Sequence, residues 1–97
     1  MAKQVTVSEI DAAVALHGAQ RYERTHCGRR DGISVTGSEL QTKRVALELG
    51  FDVVRNNGNI EIFDDTGYAG CIATNDVGSA LHIARQHVTE HHLPGDF

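Results

Sequence analysis

The chain has 97 residues, a formal net charge of −4 and a hydrophobic content of 40%. This length suits a single domain with one core, and the composition is that of globular rather than disordered or membrane proteins. The acidic excess disfavours generic nucleic-acid binding, which depends on neutralisation of phosphates by Lys and Arg. The sequence contains neither a secretory signal nor an apolar run long enough to cross a membrane, so we expect a cytoplasmic protein.

The first third of the chain predicts one helix followed by a loop. Ser8 is typical of a helix start, and apolar residues recur after it at helical spacing from Ile10 to His17. We therefore predict a first helix over residues 9–24, with a possible bend at its internal glycine. Residues 25–35 contain two glycines and no period, which predicts a loop.

A second helix is marked at both ends. Thr36 and Glu39 have the spacing of a capping box, in which each side chain binds the backbone N–H of the other residue. The helix is expected to end at Leu49, because Gly50 suits the left-handed position that often follows a helix. Phe51 is then placed to fold back onto the last turn.

From Phe51 onwards the apolar residues alternate with polar ones, which predicts strands. Asn57 and Gly58 form the dipeptide most typical of a tight hairpin turn, and a second turn is expected over residues 64–67. Three antiparallel strands follow from this pattern, over residues 51–55, 60–63 and 68–73.

The end of the chain predicts a last helix. Asn75 or Asp76 is suited to cap it, and Pro94 limits it to about His92 because the residue before a proline avoids the helical region. One apolar stripe at helical spacing supports it: Val77, Leu81, Ala84 and Val88. The expected fold is a single two-layer α+β domain over residues 1–97 in the order α-α-β-β-β-α, with the helices covering one face of a three-stranded meander.

Two resemblances bear on this fold. The half from Ser38 to Val88 resembles double-stranded-RNA-binding-like folds, and its segment from Leu49 to Gly58 is similar to the corresponding segment of messenger-RNA-cleaving toxins of the HicA type. The position of the catalytic histidine of those toxins holds Ile60, which cannot exchange protons, so the resemblance implies their topology without their activity. In size, charge and layout the chain is also similar to small acidic accessory proteins of phages and mobile elements, among them anti-CRISPR proteins.

The charge is unevenly distributed along the chain. Residues 1–50 carry a net charge of +1, whereas residues 51–97 carry −5. The basic side chains are concentrated in one short segment: Arg21, Arg24, Arg29 and Arg30. Arginine favours bidentate recognition of carboxylates and phosphates, so this segment is either a patch for an acidic partner or a solvated helix end.

Acidic residues of the second half form the other candidate contact zone: Asp52, Glu61, Asp64 and Asp65. An acidic sheet surface could bind a basic protein groove, because complementary fields accelerate association. The alternative is that the aspartates of the turn serve only local turn chemistry.

Histidine and cysteine offer weaker candidates. His87 and His91 have the spacing of two metal ligands on one helical face, but the sequence marks no third ligand. Cys27 lies in an arginine-rich segment that could lower the pKa of a thiol, and no orienting group for a catalytic nucleophile is marked. We therefore predict no metal site and no cofactor.

Charge asymmetry without a catalytic motif predicts a non-enzymatic protein that binds a partner protein as a regulator or inhibitor. It would act by occluding the partner's surface through the arginine segment and the acidic zone. The alternatives are a nucleic-acid-associated module, which the charge disfavours, a histidine-rich metal-binding protein and a metal-dependent or thiol enzyme.

Overall fold

The structure, a computed structural model, describes residues 3–73 and 79–89. The described part has two α-helices, α1 (Val7–His17) and α2 (Glu39–Glu48), and a short 3-10 helix, Arg85–His87. Its strands are β1 (Val5–Thr6), β2 (Gln20–His26), β3 (Arg29–Gly37), β4 (Asp52–Asn56), β5 (Asn59–Asp64), β6 (Gly67–Ala73), β7 (Ser79–Ala84) and β8 (Val88–Thr89). They form three sheets, so the predicted order α-α-β-β-β-α is wrong although the domain does combine helices with antiparallel strands.

The first helix is shorter than predicted because a glycine ends it. Thr6 caps its start, where the Thr6 hydroxyl accepts from the backbone N–H of Glu9 and the Glu9 carboxylate accepts from the N–H of Thr6. Gly18 adopts the left-handed conformation with φ of 73°, which ends the helix at His17. The prediction of a helix over residues 9–24 is therefore wrong beyond His17.

The segment predicted as a loop, residues 25–35, belongs instead to a strand pair. β2 pairs with β3 in antiparallel fashion across a two-residue turn at Cys27 and Gly28. Their φ angles of 53° and 79° are those of a type I′ turn, which suits the twist of a hairpin. The sequence did not indicate this pair, because β2 has no alternating apolar residues and none of its side chains is buried.

The second helix has the predicted end and a different start. Ser38 caps it by accepting from the backbone N–H of Gln41, whose side chain in turn accepts from the N–H of Ser38. Thr36 and Glu39 have the same spacing, but Thr36 belongs to β3 and does not cap the helix. Gly50 follows the helix with φ of 88°, which confirms the left-handed position predicted for it.

The predicted meander is confirmed. Strands β4, β5 and β6 form an antiparallel sheet in that order. Asn57 and Gly58 connect the first two with φ angles of 54° and 84°, again a type I′ turn. Ile60 and Ile62 of the central strand are buried, as the alternation required.

The predicted last helix is wrong. β7 occupies much of its span, with buried residues at every second position: Ser79, Leu81 and Ile83. The apolar residues that include Leu81 have helical spacing, which favoured a helix. Leu81 and Ile83, however, are two positions apart, as in a strand with one buried face, and β7 pairs with β3. β8 then pairs with β1 in parallel. The expected cap at Asn75 or Asp76 and the expected end at His92 lie outside the described residues.

The helices cover one side of the two larger sheets. Aliphatic side chains from α1 and α2, among them Ile10, Val45 and Ala46, form one core with Ile33 of β3 and Ile62 of β5. The strand orders are β2-β3-β7 and β4-β5-β6.

β6 lies directly against β7 where the two larger sheets meet. A Cβ atom added to Gly70 of β6 would lie 1.6 Å from the carbonyl oxygen of His82, so only glycine permits this approach. The close contact holds β6 against β7, so the outer surfaces of the two sheets meet at one groove.

We call this outer surface the open face, because neither α1 nor α2 packs on it. Its side chains alternate along the strands with residues of the core. They include Tyr22, Arg24, Ser34 and His82 in the first sheet and Val54, Glu61 and Cys71 in the second. Among the described residues, no helix has the length and apolar character needed to cross a membrane.

Candidate functional site

A groove of about 380 Å³ crosses the open face where β7 and β6 meet. Its walls come from three strands and the 3-10 helix and combine a cation, an imidazole, a phenol and a thiol. The polar side chains that line it are Arg24, Tyr68, Cys71, His82 and Gln86. Gly70 and two alanines complete the lining, so the floor of the groove is backbone and small side chains.

His82 lies at the centre of the polar contacts in the groove. Its Nδ1 atom forms a hydrogen bond of 2.8 Å with the hydroxyl of Ser34 on the neighbouring strand. Burial lowers the pKa of His82 below its ordinary value of 6.5, and the positive charge of Arg24 acts in the same direction. The carboxylate of Asp31 opposes both effects. The imidazole is therefore neutral at pH 7 and can donate or accept a hydrogen bond.

A β-bulge brings Asp31 to the open face. Arg24 pairs with Gly32, and the next residue of β2 pairs with Arg30, so Asp31 is an extra residue in β3. Regular alternation would place Asp31 on the same side as Ile33, towards the helices. With the bulge, its Oδ2 atom lies 3.8 Å from Nη2 of Arg24, which partly balances the charge of that arginine.

A second bulge orients Tyr68 in the same way. Gly70 pairs with Ile62, while Tyr68 pairs with Phe63, so Ala69 is the extra residue of β6. Tyr68 and Cys71, three positions apart, consequently share the open face although regular alternation would separate them. Both bulges lie next to the groove, and each moves one polar side chain onto its face.

Tyr68 is the aromatic anchor of the groove. Its ring is 50% exposed and makes an edge contact with Phe63 at a centroid distance of 5.9 Å. Partial burial raises the pKa of Tyr68 to about 12, and a hydrogen bond with Cys71 and the charges of Cys71 and Glu61 add to this effect. The phenol therefore stays protonated at neutral pH, so it presents a flat apolar ring with a polar end.

The structure separates the four predicted arginines into two pairs. Arg21 and Arg30 lie on the helix side of the β2–β3 hairpin and form ion pairs, Arg21 with Asp11 and Arg30 with Glu23 at 2.7 Å. Arg24 lines the groove. The alternation of the hairpin places exposed Arg29, beside the turn, on the same open face. The first pair stabilises the hairpin, and the second pair gives the open face its basic side.

The predicted acidic residues are also divided. Asp52 and Glu61 lie on the open face of the second sheet, where the amide of Asn56 donates to Glu61 at 3.1 Å. Asp65 is exposed in the β5–β6 turn. Asp64, which was predicted as a contact residue, has no exposed side-chain surface, so it is not available to a partner.

Asp64 instead ties the β5–β6 turn to the 3-10 helix. Its Oδ2 atom lies 2.7 Å from Nδ1 of His87, and its other carboxylate oxygen accepts from the backbone N–H and the hydroxyl of Thr66. Burial acts to raise the pKa of Asp64, but the hydrogen bonds from Thr66, the charge of His87 and a hydrogen bond from Gly67 together lower it. Asp64 is thus a structural carboxylate.

Among the described residues, the weaker candidates for chemistry do not form a shared site. His87 is buried in the 3-10 helix, and His91, its expected metal-binding companion, lies outside the described residues. Within residues 3–73 and 79–89, no three His, Cys, Asp or Glu side chains are grouped as metal ligands. Cys27 is exposed at the tip of the β2–β3 turn.

Four polar groove residues were not singled out as site residues from the sequence: Tyr68, Cys71, His82 and Gln86. The alternation of His82 with Leu81 and Ile83 was the available signal, since it predicts that a strand presents His82 on the face opposite the core. The sequence contains no comparable signal for the two bulges, so the position of Tyr68 on this face could not be predicted.

Comparison with known proteins finds no matching family model, no matching curated protein and no matching solved structure.

Proposed function

We propose that the chain is a non-enzymatic protein-binding module that docks a partner protein across the open face and regulates or inhibits that partner by covering its surface. The observation that carries this proposal is a groove flanked by opposite charges on a face that both helices leave open. Arg24 and Arg29 lie on one side of the groove, and Asp52 and Glu61 lie on the other. Complementary charge of this kind selects a partner and its orientation.

The side chains of the groove suit binding to a protein. Tyr68 and Tyr22 are 50% and 55% exposed on the same face, and tyrosine and arginine are the residue types most often found at the energetic centres of interfaces. Val54, 48% exposed, adds apolar surface beside Glu61. Neutral His82 and protonated Tyr68 provide hydrogen-bond partners that lose little solvation energy on burial, compared with charged groups.

Charge reversal with a matched control tests the proposal. The variant R24E/R29E changes the basic side of the open face, whereas K43E/R44E makes the same change in net charge on exposed residues of α2. We expect the first variant to lose the partner captured from the host lysate and the second to retain it. Binding should also weaken as salt is raised, since exposed charges are screened.

Site-specific photo-cross-linking locates the contact independently. A photoreactive phenylalanine analogue at Tyr68 should cross-link to the partner, whereas the same analogue at Leu16, 66% exposed on α1, should not. Equal cross-linking from both positions, or equal loss of binding in both charge variants, would contradict docking on the open face.

Binding to single-stranded nucleic acid is the second candidate function. Tyr22 and Tyr68 could stack with bases, and Arg24 could bind phosphate on the same sheet surface. Asp52 and Glu61 on that surface, together with the net charge of −4, place this function second. Anisotropy of a labelled single-stranded RNA at about 50 mM salt tests it, because binding lost in Y22A/Y68A would favour nucleic acid over protein.

A further inference from the structure

We propose that two copies of this chain associate through β2, which pairs with itself in an antiparallel register centred on Tyr22. In the described part of the chain, β2 forms a ladder on one side only, with β3, so it is the edge strand of its sheet. An edge strand presents a row of unpaired backbone N–H and C=O groups to any second strand. The new contact would use the backbone edge of β2 and its helix-side charges, whereas the groove takes only Arg24 from this strand, so the two proposals can fail separately.

The charges of β2 select one register. Two identical strands can pair about a two-fold axis perpendicular to the sheet. Odd-numbered residues then face odd-numbered residues and even-numbered residues face even-numbered ones, so both copies keep the same face outward. With Tyr22 on the axis, Arg21 of one copy faces Glu23 of the second copy, and this opposite-charge pair occurs twice. Gln20 then faces Arg24, so this register places no two like charges opposite each other.

The neighbouring registers are less favourable. A register centred on Glu23 places two glutamates opposite each other, and registers centred on Arg21 or Arg24 place two arginines opposite each other. Like charges directly across a strand pair are destabilising. The charged side chains of β2 would discourage pairing with an unrelated strand, but they favour this one register between two copies of β2.

Existing ion pairs would extend across the new contact. Arg21 already pairs with Asp11, and Glu23 pairs with Arg30 at 2.7 Å, all on the helix side of the hairpin. Pairing of the two copies would join these ion pairs into one series of alternating charge. The series runs from Asp11 and Arg21 of one copy to Glu23 and Arg30 of the second copy. Networks of this kind contribute more than isolated surface pairs.

The size of the contact sets the expected affinity. β2 has seven residues, so the new contact is small, and interfaces at the low end of the size range are weak and transient. We therefore expect a monomer–dimer equilibrium that depends on concentration and weakens as salt is raised.

Sedimentation equilibrium over about 1 μM to 1 mM protein tests the proposal, with charge reversal as the diagnostic. R21E and E23R should each weaken dimerisation by about tenfold or more, because each places like charges opposite each other twice. The double variant R21E/E23R should restore it, since opposite charges then face each other again with their positions exchanged, although the internal pairs with Asp11 and Arg30 stay broken. K43E, a charge reversal of the same size on α2, should leave dimerisation unchanged.

Cysteine cross-linking gives a second readout if a charge variant fails to fold. In a C27S/C71S background, Y22C should form a disulfide-linked dimer under mild oxidation, and T25C, which lies away from the axis, should not. A chain that stays monomeric over the whole concentration range would overturn the proposal. So would a dimer that the single charge variants leave intact or that the double variant fails to restore.

Discussion

The β2–β3 and β4–β5 hairpins have the same kind of turn, and in both the inner and outer strands differ in their source of stability. The φ angles are 53° and 79° at the turn between β2 and β3, and 54° and 84° at the turn between β4 and β5. The inner strands β3 and β5 bury aliphatic side chains, among them Ile33, Ile60 and Ile62, whereas the outer strands β2 and β4 bury none of their side chains. Backbone hydrogen bonds and cross-strand charges therefore hold β2, and the hydrophobic effect holds β5. Of these outer strands, β2 is the one for which we propose pairing with a second copy.

The largest expected effect comes from the buried strand. Replacing Ile62, which is fully buried in β5, with alanine should destabilise the domain by about 2–5 kcal/mol, because it removes apolar contacts and leaves a cavity. Replacing exposed Thr25 of β2 with alanine should change stability by less than about 0.5 kcal/mol. Urea unfolding measures both values, and similar losses in the two variants would contradict the comparison.

Exchanging the turn residues tests whether the two turns are equivalent. Cys27 and Asn57 both have positive φ, a conformation that asparagine tolerates better than cysteine. We expect C27N to stabilise the domain and N57C to destabilise it, each by about 0.5–1 kcal/mol. Thermal unfolding of the two variants under reducing conditions checks this, and a change of the same sign in both would refute it.

The cross-strand pair of the first hairpin should contribute less. Glu23 and Arg30 lie 2.7 Å apart with side chains 31% and 28% exposed, a partly solvated pair. A double-mutant cycle with E23Q and R30Q should give a coupling energy of about 0.2–1 kcal/mol that decreases in high salt. A coupling insensitive to salt would show that packing, rather than charge, joins the two side chains.

The smallest expected effect depends on pH and acts on the first hairpin through β7. Because the pKa of His82 is lower in the folded state than its ordinary value of 6.5, its stabilising contribution is present above pH 6.5 and is lost as the pH falls below that value. At about pH 5.5 the amide protection factors in β3, whose Ser34 is hydrogen-bonded to His82, should decrease, whereas those in β5 should change little.

Two variants give the control for this pH effect. H82N should remove the difference between the strands. R24Q should raise the pKa of His82, measured by NMR titration of its ring, because it removes the positive charge next to the imidazole. An unchanged pKa in R24Q would contradict the assigned cause.

The same contrast explains which parts of the fold were predictable. The end of α2 and the meander depend on signals within a few residues, namely Gly50, Asn57–Gly58 and the alternation of Ile60 and Ile62. The β2–β3 hairpin has a turn without the typical dipeptide and, in β2, a strand without apolar alternation, and its inner strand β3 pairs with β7, which is distant in sequence. β7 was mistaken for a helix because Leu81 fits both periods, and only its partner strand decides between them.

The groove was less predictable than the fold for a related reason. Its polar residues come from β2, β6 and β7, and two bulges decide which of the neighbouring side chains face it. The sequence predicted the importance of the charges, but only register separates Arg24 and Arg29 on the open face from Arg21 and Arg30 on the helix side. Burial likewise excludes Asp64 from the acidic zone.

The contact between Gly70 and the backbone of His82 has an electrical consequence. Because no side chain separates β6 from β7, the sheet that carries Arg24 and Arg29 packs directly against the sheet that carries Asp52 and Glu61. Opposite charges on two strands held together in this way give the surface a dipole moment whose mean direction follows the orientation of the backbone. Under the proposed docking, an approaching molecule with its own dipole would experience a torque before contact, and the glycine joint would contribute to its orientation.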